Sequence, residues 1–270
     1  MTMTASLERA EKAIAPSPPP QDVAIRLQEI ELRFGRKIVL SDCSLDCVRG
    51  KITCVIGMSG AGKSTILRLI NGLRRPYRGF VFVEGEEISQ LAERDLVEMR
   101  KKMGFAFQQS ALFDSMTIAE NVAFPLWEHT KLTENEIEKR VADALKLLGL
   151  EGVEKQLPSE LSGGMQKRAG FARAIVNEPE ILLFDEPTSG LDPIIANVIT
   201  DTIKNIHAKF GATCVVVSHD LQSVYTLAHQ IAMLFEGTII ETGTVEQIRK
   251  SPNPLVQQFL RGSVFGPIPL

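Results

Sequence analysis

No uninterrupted apolar run in the 270-residue chain approaches the roughly 18 residues that span a bilayer, so no transmembrane helix is predicted. A basic excess is missing too: 30 Lys and Arg face 33 Asp and Glu, for a net charge of −3. That balance excludes an electrostatic nucleic-acid binder, whose footprint is strongly basic. Cysteine is scarce, and Cys43, Cys47, Cys54 and Cys214 show neither CxxC spacing nor a surrounding Cys/His cluster. Cys54 and Cys214 sit inside apolar strings, which points to reduced thiols in a reducing compartment. No internal repeat is visible. The first residues carry no apolar secretory segment, and Glu8 and Glu11 beside Arg9 argue against an organelle transit peptide. What remains is 44% hydrophobic, with a mean hydropathy of +0.04. That composition predicts a soluble intracellular globular protein with chain enough for one large or two small domains.

The two ends differ from the middle. Ala15-Pro16-Ser17-Pro18-Pro19-Pro20 favours polyproline II, so residues 1–22 are expected to form a disordered leader. Residues 262–270 are apolar and include Pro267 and Pro269. Too short to bury themselves, they are expected to lie on the protein's own surface or to dock on a partner.

Between the ends, short β-rich runs alternate with helical stretches, the signature of an α/β fold with a largely parallel sheet. Residues 51–56 read as a strand, followed by a Gly-rich turn and a helix over 62–73. Thr133 and Glu136 form a capping box ahead of a helix whose apolar face is Ile137, Val141, Ala144, Leu145 and Leu148, with Gly149 as the stop. Another helix is expected from Ser162 to before Pro179. Residues 181–184 and 213–217 read as buried parallel strands, and 231–235 with 238–241 as a hairpin turning at Glu236-Gly237.

Gly57-Met58-Ser59-Gly60-Ala61-Gly62-Lys63-Ser64, followed by Thr65, fits G-x-x-x-x-G-K-[ST] between a strand and a helix. Glycines let backbone N–H groups turn inward onto phosphate oxygens, and the helix N-terminus adds its positive end. Lys63 is expected on the β- and γ-phosphates and Ser64 on Mg²⁺. The apolar run 181–184 ends in Asp185 and Glu186. Carboxyl ends of parallel strands face the ligand, so both acids should emerge beside the phosphate loop. Asp185 is expected to hold Mg²⁺, and Glu186 to act as general base on the attacking water.

A third group lies at Leu161-Ser162-Gly163-Gly164-Met165-Gln166, ahead of a helix carrying Lys167, Arg168 and Arg173. A Ser N-cap followed by two glycines exposes N–H groups and makes a second anion site. These residues resemble the LSGGQ signature of ABC-transporter ATPases, and the rest of the chain follows that family's order from about residue 25 to 250. Phe34 matches the adenine-stacking aromatic. Gln108, rather than Gln109 by its spacing to Leu112-Phe113, matches the Q-loop glutamine. Ser189-Gly190-Leu191-Asp192 matches the D-loop, and His219 the switch histidine.

The resemblance implies a P-loop ABC ATPase domain over 23–250, with a mostly parallel core, an antiparallel β subdomain and an inserted helical subdomain at about 109–178. Residues 251–270 would form the C-terminal tail. Two copies would sandwich two ATP molecules head to tail, each held by one copy's phosphate loop and the other's Ser162, Gly163 and Gly164. A monomer would bind ATP yet hydrolyse it poorly. His219 would contact the γ-phosphate, Gln108 would join Ser64 and Asp185 at Mg²⁺, and Asp192 would link the two sites across the homodimer. The segment 109–160 would receive the coupling helix of an integral-membrane permease, at the cytoplasmic face of a bacterial inner membrane.

Met165 stands where most relatives have glutamine, and the chain ends in Gln258-Phe259-Leu260-Arg261-Gly262 and Gly266-Pro267-Ile268-Pro269. Both features, with Glu120-Asn121-Val122-Ala123-Phe124-Pro125-Leu126, resemble the ATPases of MCE-type (Mla) systems that move phospholipids between inner and outer membranes. That implies an MCE-domain lipid-binding protein and a small STAS-domain regulator as partners, with the tail reaching the neighbouring protomer or the regulator. An importer ATPase for a small polar solute would share every catalytic residue. A non-transport ABC protein would usually carry two ATPase domains or a coiled-coil insertion, and this sequence shows neither.

Overall fold

The computed structural model describes residues 15–268. In chain order, β1 (Val23–Phe34) and β2 (Lys37–Val48) form an antiparallel pair, and β3 (Ile52–Ile56) leads through a loop into α1 (Lys63–Ile70). Next come β4 (Arg78–Val83), β5 (Glu86–Glu87), α2 (Glu93–Arg100) and β6 (Met103–Ala106). The helices α3 (Ile118–His129), α4 (Glu134–Leu147) and α5 (Gly163–Ile175) follow as one block. Then come β7 (Ile181–Asp185), α6 (Pro193–Phe210), β8 (Thr213–Val217) and α7 (Leu221–Leu227). The chain continues through β9 (Gln230–Phe235), β10 (Thr238–Gly243), α8 (Val245–Arg249) and α9 (Pro254–Arg261).

The main sheet has six strands in the order β10-β9-β3-β8-β7-β6, all parallel neighbours except the antiparallel edge strand β10. A second, antiparallel sheet runs β2-β1-β4-β5. This is the α/β architecture expected, with its antiparallel sheet and inserted helical block. Side chains alternate along the parallel strands, so each strand feeds two cores. Cys54, Leu182, Phe184, Cys214 and Val216 join the core built with α5, α6 and α7. Val55, Leu183, Val215 and Val217 face the other core, with α1 and the antiparallel sheet. Full burial of each Val or Leu contributes roughly 1.5–3 kcal/mol, which is why unbroken apolar runs fold as central strands here.

Strand order also assembles the functional region. β3, β8 and β7 are neighbours, so the loops at their carboxyl ends lie side by side. The helix expected over 62–73 is shorter, ending at Ile70. Asn71 closes its last turn onto Leu67 and Leu69, and Gly72 follows in the left-handed region at φ 68°. In α4 the Glu136 carboxylate accepts from the Thr133 N–H at 2.7 Å and hydroxyl at 2.8 Å, fixing the start of the helix. Glu236 and Gly237, at φ 46° and 80°, make the tight turn of the β9–β10 hairpin.

All four cysteines are free and buried. Burial pushes the Cys43, Cys47 and Cys214 thiols up to about 12 and raises Cys54 as well. Among the described residues no helix is long and apolar enough to cross a membrane. Of the leader, residues 1–14 lie outside the described part. Residues 15–20 have neither helix nor strand, and Gln28 of β1 exchanges hydrogen bonds of 2.9 Å with the Ala15 carbonyl and the Ser17 N–H. At the other end, the Gln258 side chain of α9 accepts from the Ile268 N–H at 2.6 Å and donates to the Ser263 carbonyl at 3.2 Å. The tail therefore folds back, burying Ile268 while Phe265 stays 86% exposed.

Candidate functional site

The glycine-rich loop expected to bind phosphate leaves β3 at Gly57, where only a glycine fits. A Cβ there would stand 2.3 Å from the Leu234 carbonyl oxygen of β9. Ser59 and Gly60 are exposed at the loop's tip, Ala61 and Gly62 are half-buried, and Thr65 is buried in the first turn of α1. Lys63 is 6% exposed. Its Nζ donates to the carbonyls of Gly57 at 3.0 Å and Met58 at 3.2 Å, and lies 3.3 Å from Glu186 Oε1. The Ser64 hydroxyl donates to Asp185 Oδ1 at 2.7 Å. Thus one turn of helix brings its lysine to Glu186 and its serine to Asp185.

Glu186 has a left-handed backbone, φ 47°, immediately after β7. A residue with a side chain occupies that region at a cost of about 1–3 kcal/mol, and here it turns the carboxylate back over the strand ends. Oε2 of Glu186 accepts from the backbone N–H of His219 at 3.3 Å and lies 2.7 Å from His219 Nδ1. Burial holds the Asp185 carboxyl above the usual range, with the Glu186 charge adding to it, while the Ser64 hydroxyl pulls it back. Lysine, two carboxylates, a hydroxyl and an imidazole therefore converge where the three strand-end loops meet.

The other predicted residues flank this centre. Phe34 is 40% exposed at the β1–β2 turn, with the Arg74 guanidinium 5.2 Å from its ring centre. Val39 and Leu40, just beyond that turn, lie against Gly62 of the phosphate loop. Gln108 follows β6, and its amide donates to the Ser189 hydroxyl at 3.4 Å. That contact joins the segment after β6 to the segment before α6.

A second group forms at the starts of α5 and α6. Ser162 caps α5, its hydroxyl accepting from the Met165 N–H at 3.3 Å. Ser162 and Gly163 are exposed, and a Cβ on Gly164 would stand 2.7 Å from Ile195. Asp192 caps α6, its Oδ1 accepting from the N–H groups of Ile194 at 3.0 Å and Ile195 at 3.1 Å. Ser162, Gly163, Gly164 and Asp192 therefore share one patch built on two helix N-termini.

Three residues escaped the sequence reasoning as site residues. Asp220 accepts from the Thr188 hydroxyl at 3.1 Å and from the Ser223 hydroxyl. Burial would raise its carboxyl, yet these hydroxyls with the Ser223 and Gln222 N–H groups hold it below the usual range. Lys167 and Arg173 of α5 bind backbone carbonyls of the Gln108 segment. Their spacing on one helix face was the available signal, but a carbonyl acceptor leaves no mark in sequence.

The family model described as ABC transporter matches residues 40–189. The chain is 41% identical over 244 residues to an intermembrane phospholipid transport system ATP-binding protein, MlaF, of Haemophilus influenzae, covering 90% of this chain and 92% of that protein. It is 42% identical over 249 residues to a probable ribonucleotide transport ATP-binding protein, mkl, of Mycobacterium leprae, covering 92% of this chain and 72% of that one. Among solved structures, the dimeric bacterial ABC transporter cassette MJ0796 superposes with a TM-score of 0.75 at 32% identity, over 82% of this chain and 98% of that chain. The same cassette is also known in a post-hydrolysis state bound to ADP and phosphate. On this similarity over most of its length, the chain belongs to the ABC transporter family, as one of its ATP-hydrolysing subunits.

Proposed function

We propose that two copies of this chain close head to tail around two ATP molecules and that the cycle drives phospholipid transport between membranes through an integral-membrane permease. The observation that carries the chemistry is the convergence of Lys63, Glu186 and His219, with Ser64 bonded to Asp185 beside them. Glu186 takes the proton of the attacking water, and His219 orients the carboxylate and meets the γ-phosphate. Lys63 and the backbone of Gly57, Ser59, Gly60, Ala61 and Gly62 hold the phosphates, with Thr65 completing the helix start and Phe34 stacking on adenine. The Ser64 hydroxyl and Asp185 carboxylate are a hard oxygen pair in direct contact, a donor set that suits Mg²⁺, with Gln108 as the further ligand. When bound, Mg²⁺ would neutralise charge on the β- and γ-phosphates.

The second copy is needed to present Ser162, Gly163 and Gly164 to the ATP of the first. Ile194 at 75% exposure and Val198 at 42% form an apolar strip beside this patch, which favours a second protein surface there. Asp192 stands at the head of that strip, the position from which to couple the two sites. Ser162→Arg is expected to lower turnover in the assembled complex by about 10²-fold, the loss typical for removing one preorganised donor. Loss of its cap on α5 adds about 1 kcal/mol of destabilisation. ATP affinity of the mutant's own phosphate loop should stay near wild type. Unchanged turnover would dismiss the sandwich.

A groove beside the helical block suits the permease. It has a volume of about 470 Å³ and is lined by Phe105, Phe107, Phe113 and Phe124 together with the basic Arg100, Lys101 and Arg173. Phe107 and Phe113 are 41% and 42% exposed. An element of the permease with apolar and acidic side chains seated there would place the subunit on the cytoplasmic face of a bacterial inner membrane.

The cargo reading rests on the near full-length similarity to the phospholipid-transport ATP-binding protein, together with Met165 and the tail. Exposed Val264 and Phe265 on the folded-back tail favour docking on the neighbouring protomer or on a STAS-domain regulator. The test is a tagged pull-down of this chain from native membranes in mild detergent, with mass spectrometry of retained proteins and lipids. A permease, an MCE-domain protein and bound phospholipid are expected. A polytopic permease with a solute-binding protein and no enriched lipid would assign the chain to an importer of small polar solutes.

A further inference from the structure

Behind the two acids lies a buried cation. Lys167, in the second turn of α5, is 8% exposed. Its Nζ donates to the Gln108 carbonyl at 2.9 Å and reaches the Glu186 carbonyl at 3.5 Å. Both acceptors are neutral backbone oxygens. Burial lowers the Lys167 pKa, and the Glu186 charge draws it back up. An ammonium held this way costs stability relative to an apolar side chain of similar length. Packing alone therefore gives no reason for a lysine here.

Its surroundings point to control of backbone. Lys167, Gly170 and Arg173 follow at intervals of three and share one face of α5. Arg173 donates to the carbonyls of Ser110 and Ala111, both at 2.7 Å. At Gly170 the helix comes so close that a Cβ would stand 3.2 Å from Ser110. Ser110 and Ala111 are left-handed, at φ 60° and 48°, and so is Glu186. Such conformations persist only where the surroundings enforce them. The frame behind Lys167 is firm, since Phe171 of α5 meets Phe184 of β7 edge to face at 5.2 Å between ring centres, just before the two acids.

We propose that Lys167 is a positioning residue for ATP hydrolysis, tying the backbones of Gln108 and Glu186 together so that the Glu186 carboxylate is held between Lys63 and His219. The inference rests on the reading of Glu186 as general base. It also gives the groove-side segment 108–111 a direct route to the base, through one side chain.

The test measures ATP KM, kcat and thermal midpoint for Lys167→Met, Lys167→Gln and Lys167→Arg, each as the full chain assembled with its membrane partners. Lys167→Met is expected to lose kcat by about tenfold or more with KM changed less than about twofold, the split that marks loss of an interaction used in the transition state. Its thermal midpoint should be no lower than wild type. Lys167→Arg, which keeps a cation and its donors, should recover most of the kcat. Wild-type kcat in Lys167→Met overturns the proposal. So does a KM rise that accounts for the whole loss, or an Arg variant as impaired as the Met variant. Should Lys167→Met fail to fold, Lys167→Gln against Lys167→Arg makes the same comparison. Glu186→Gln is assayed alongside. If it still turns over, the base reading fails and takes the Glu186 half of the proposal with it. A dead Glu186→Gln beside a fully active Lys167→Met overturns the role of Lys167 alone.

Discussion

Glu186→Gln is expected to keep ATP bound and to lower turnover of the assembled transporter by about 10²–10⁴-fold, the range that a positioned general base contributes. In barrier terms that is about 3–5.5 kcal/mol. Glutamine preserves the volume of the side chain and its reach to His219, but its amide cannot take a proton from water. ATP affinity should change little, because Lys63 and the loop backbone remain. The protein should then accumulate with nucleotide trapped between two closed copies. The substitution also removes the Glu186 charge, which acts after burial to hold the Asp185 carboxyl above the usual range. Single-turnover kinetics and nucleotide retention on a desalting column give the readout. Wild-type turnover would show that another group activates the water.

Lys63→Ala has the opposite profile. Hydrogen bonds to charged groups are worth about 1.5–3 kcal/mol, so ATP affinity should fall roughly 10- to 150-fold. Two further effects push toward the upper end. The Nζ ties down the carbonyls of Gly57 and Met58, so the loop loses internal support. Glu186 loses the ammonium 3.3 Å from one oxygen, leaving a carboxylate with 10% side-chain exposure beside Asp185. With that ammonium gone, the two carboxylates repel the incoming phosphates more strongly. Equilibrium binding of a fluorescent ATP analogue separates the two variants: retention without turnover for Glu186→Gln, loss of binding for Lys63→Ala. Undiminished binding in Lys63→Ala would remove the lysine from the phosphate site.

Some elements announce themselves in sequence because a single physical requirement shapes them. Residues 181–184 are apolar without a break since β7 is covered on both faces, and the acids begin at the strand's carboxyl end. The phosphate loop is legible for a similar reason: Gly57 stands against the Leu234 carbonyl, where no other residue fits. β1 is harder to read. Its pairing with β2 shifts register between Leu27 and Ile30 and again between Ile30 and Leu32, with Glu29 left-handed at φ 47°. Those irregularities break the two-residue alternation that would identify the strand. α6 hides in another way. Its buried stripe of Ile199, Ile203 and Ile206 is regular, but exposed Ile194 and Val198 blur the amphipathic pattern.

The candidate site divides along the same line. Lys63, Ser64, Asp185 and Glu186 are legible because the phosphate and metal chemistry proposed for them needs those residue types at fixed places. Gln108, Ser162, Asp192 and His219 stand out only through the family's order, since each alone could be a solvated side chain or a helix cap. In the structure Asp192 does cap α6. Lys167 was not legible as a site residue, because its partners are backbone carbonyls brought together by tertiary folding.

The claim that unites the site is that each ATP is held by two chains. It is tested most directly by mixing two inactive variants, Lys63→Ala and Ser162→Arg, during assembly with the membrane partners. A mixed dimer then contains one site with an intact phosphate loop and an intact signature from opposite copies. Random pairing with independent sites predicts recovery to about a quarter of wild-type turnover for a two-fold symmetric dimer. Turnover no greater than the sum of the two variants assayed separately would contradict the composite site.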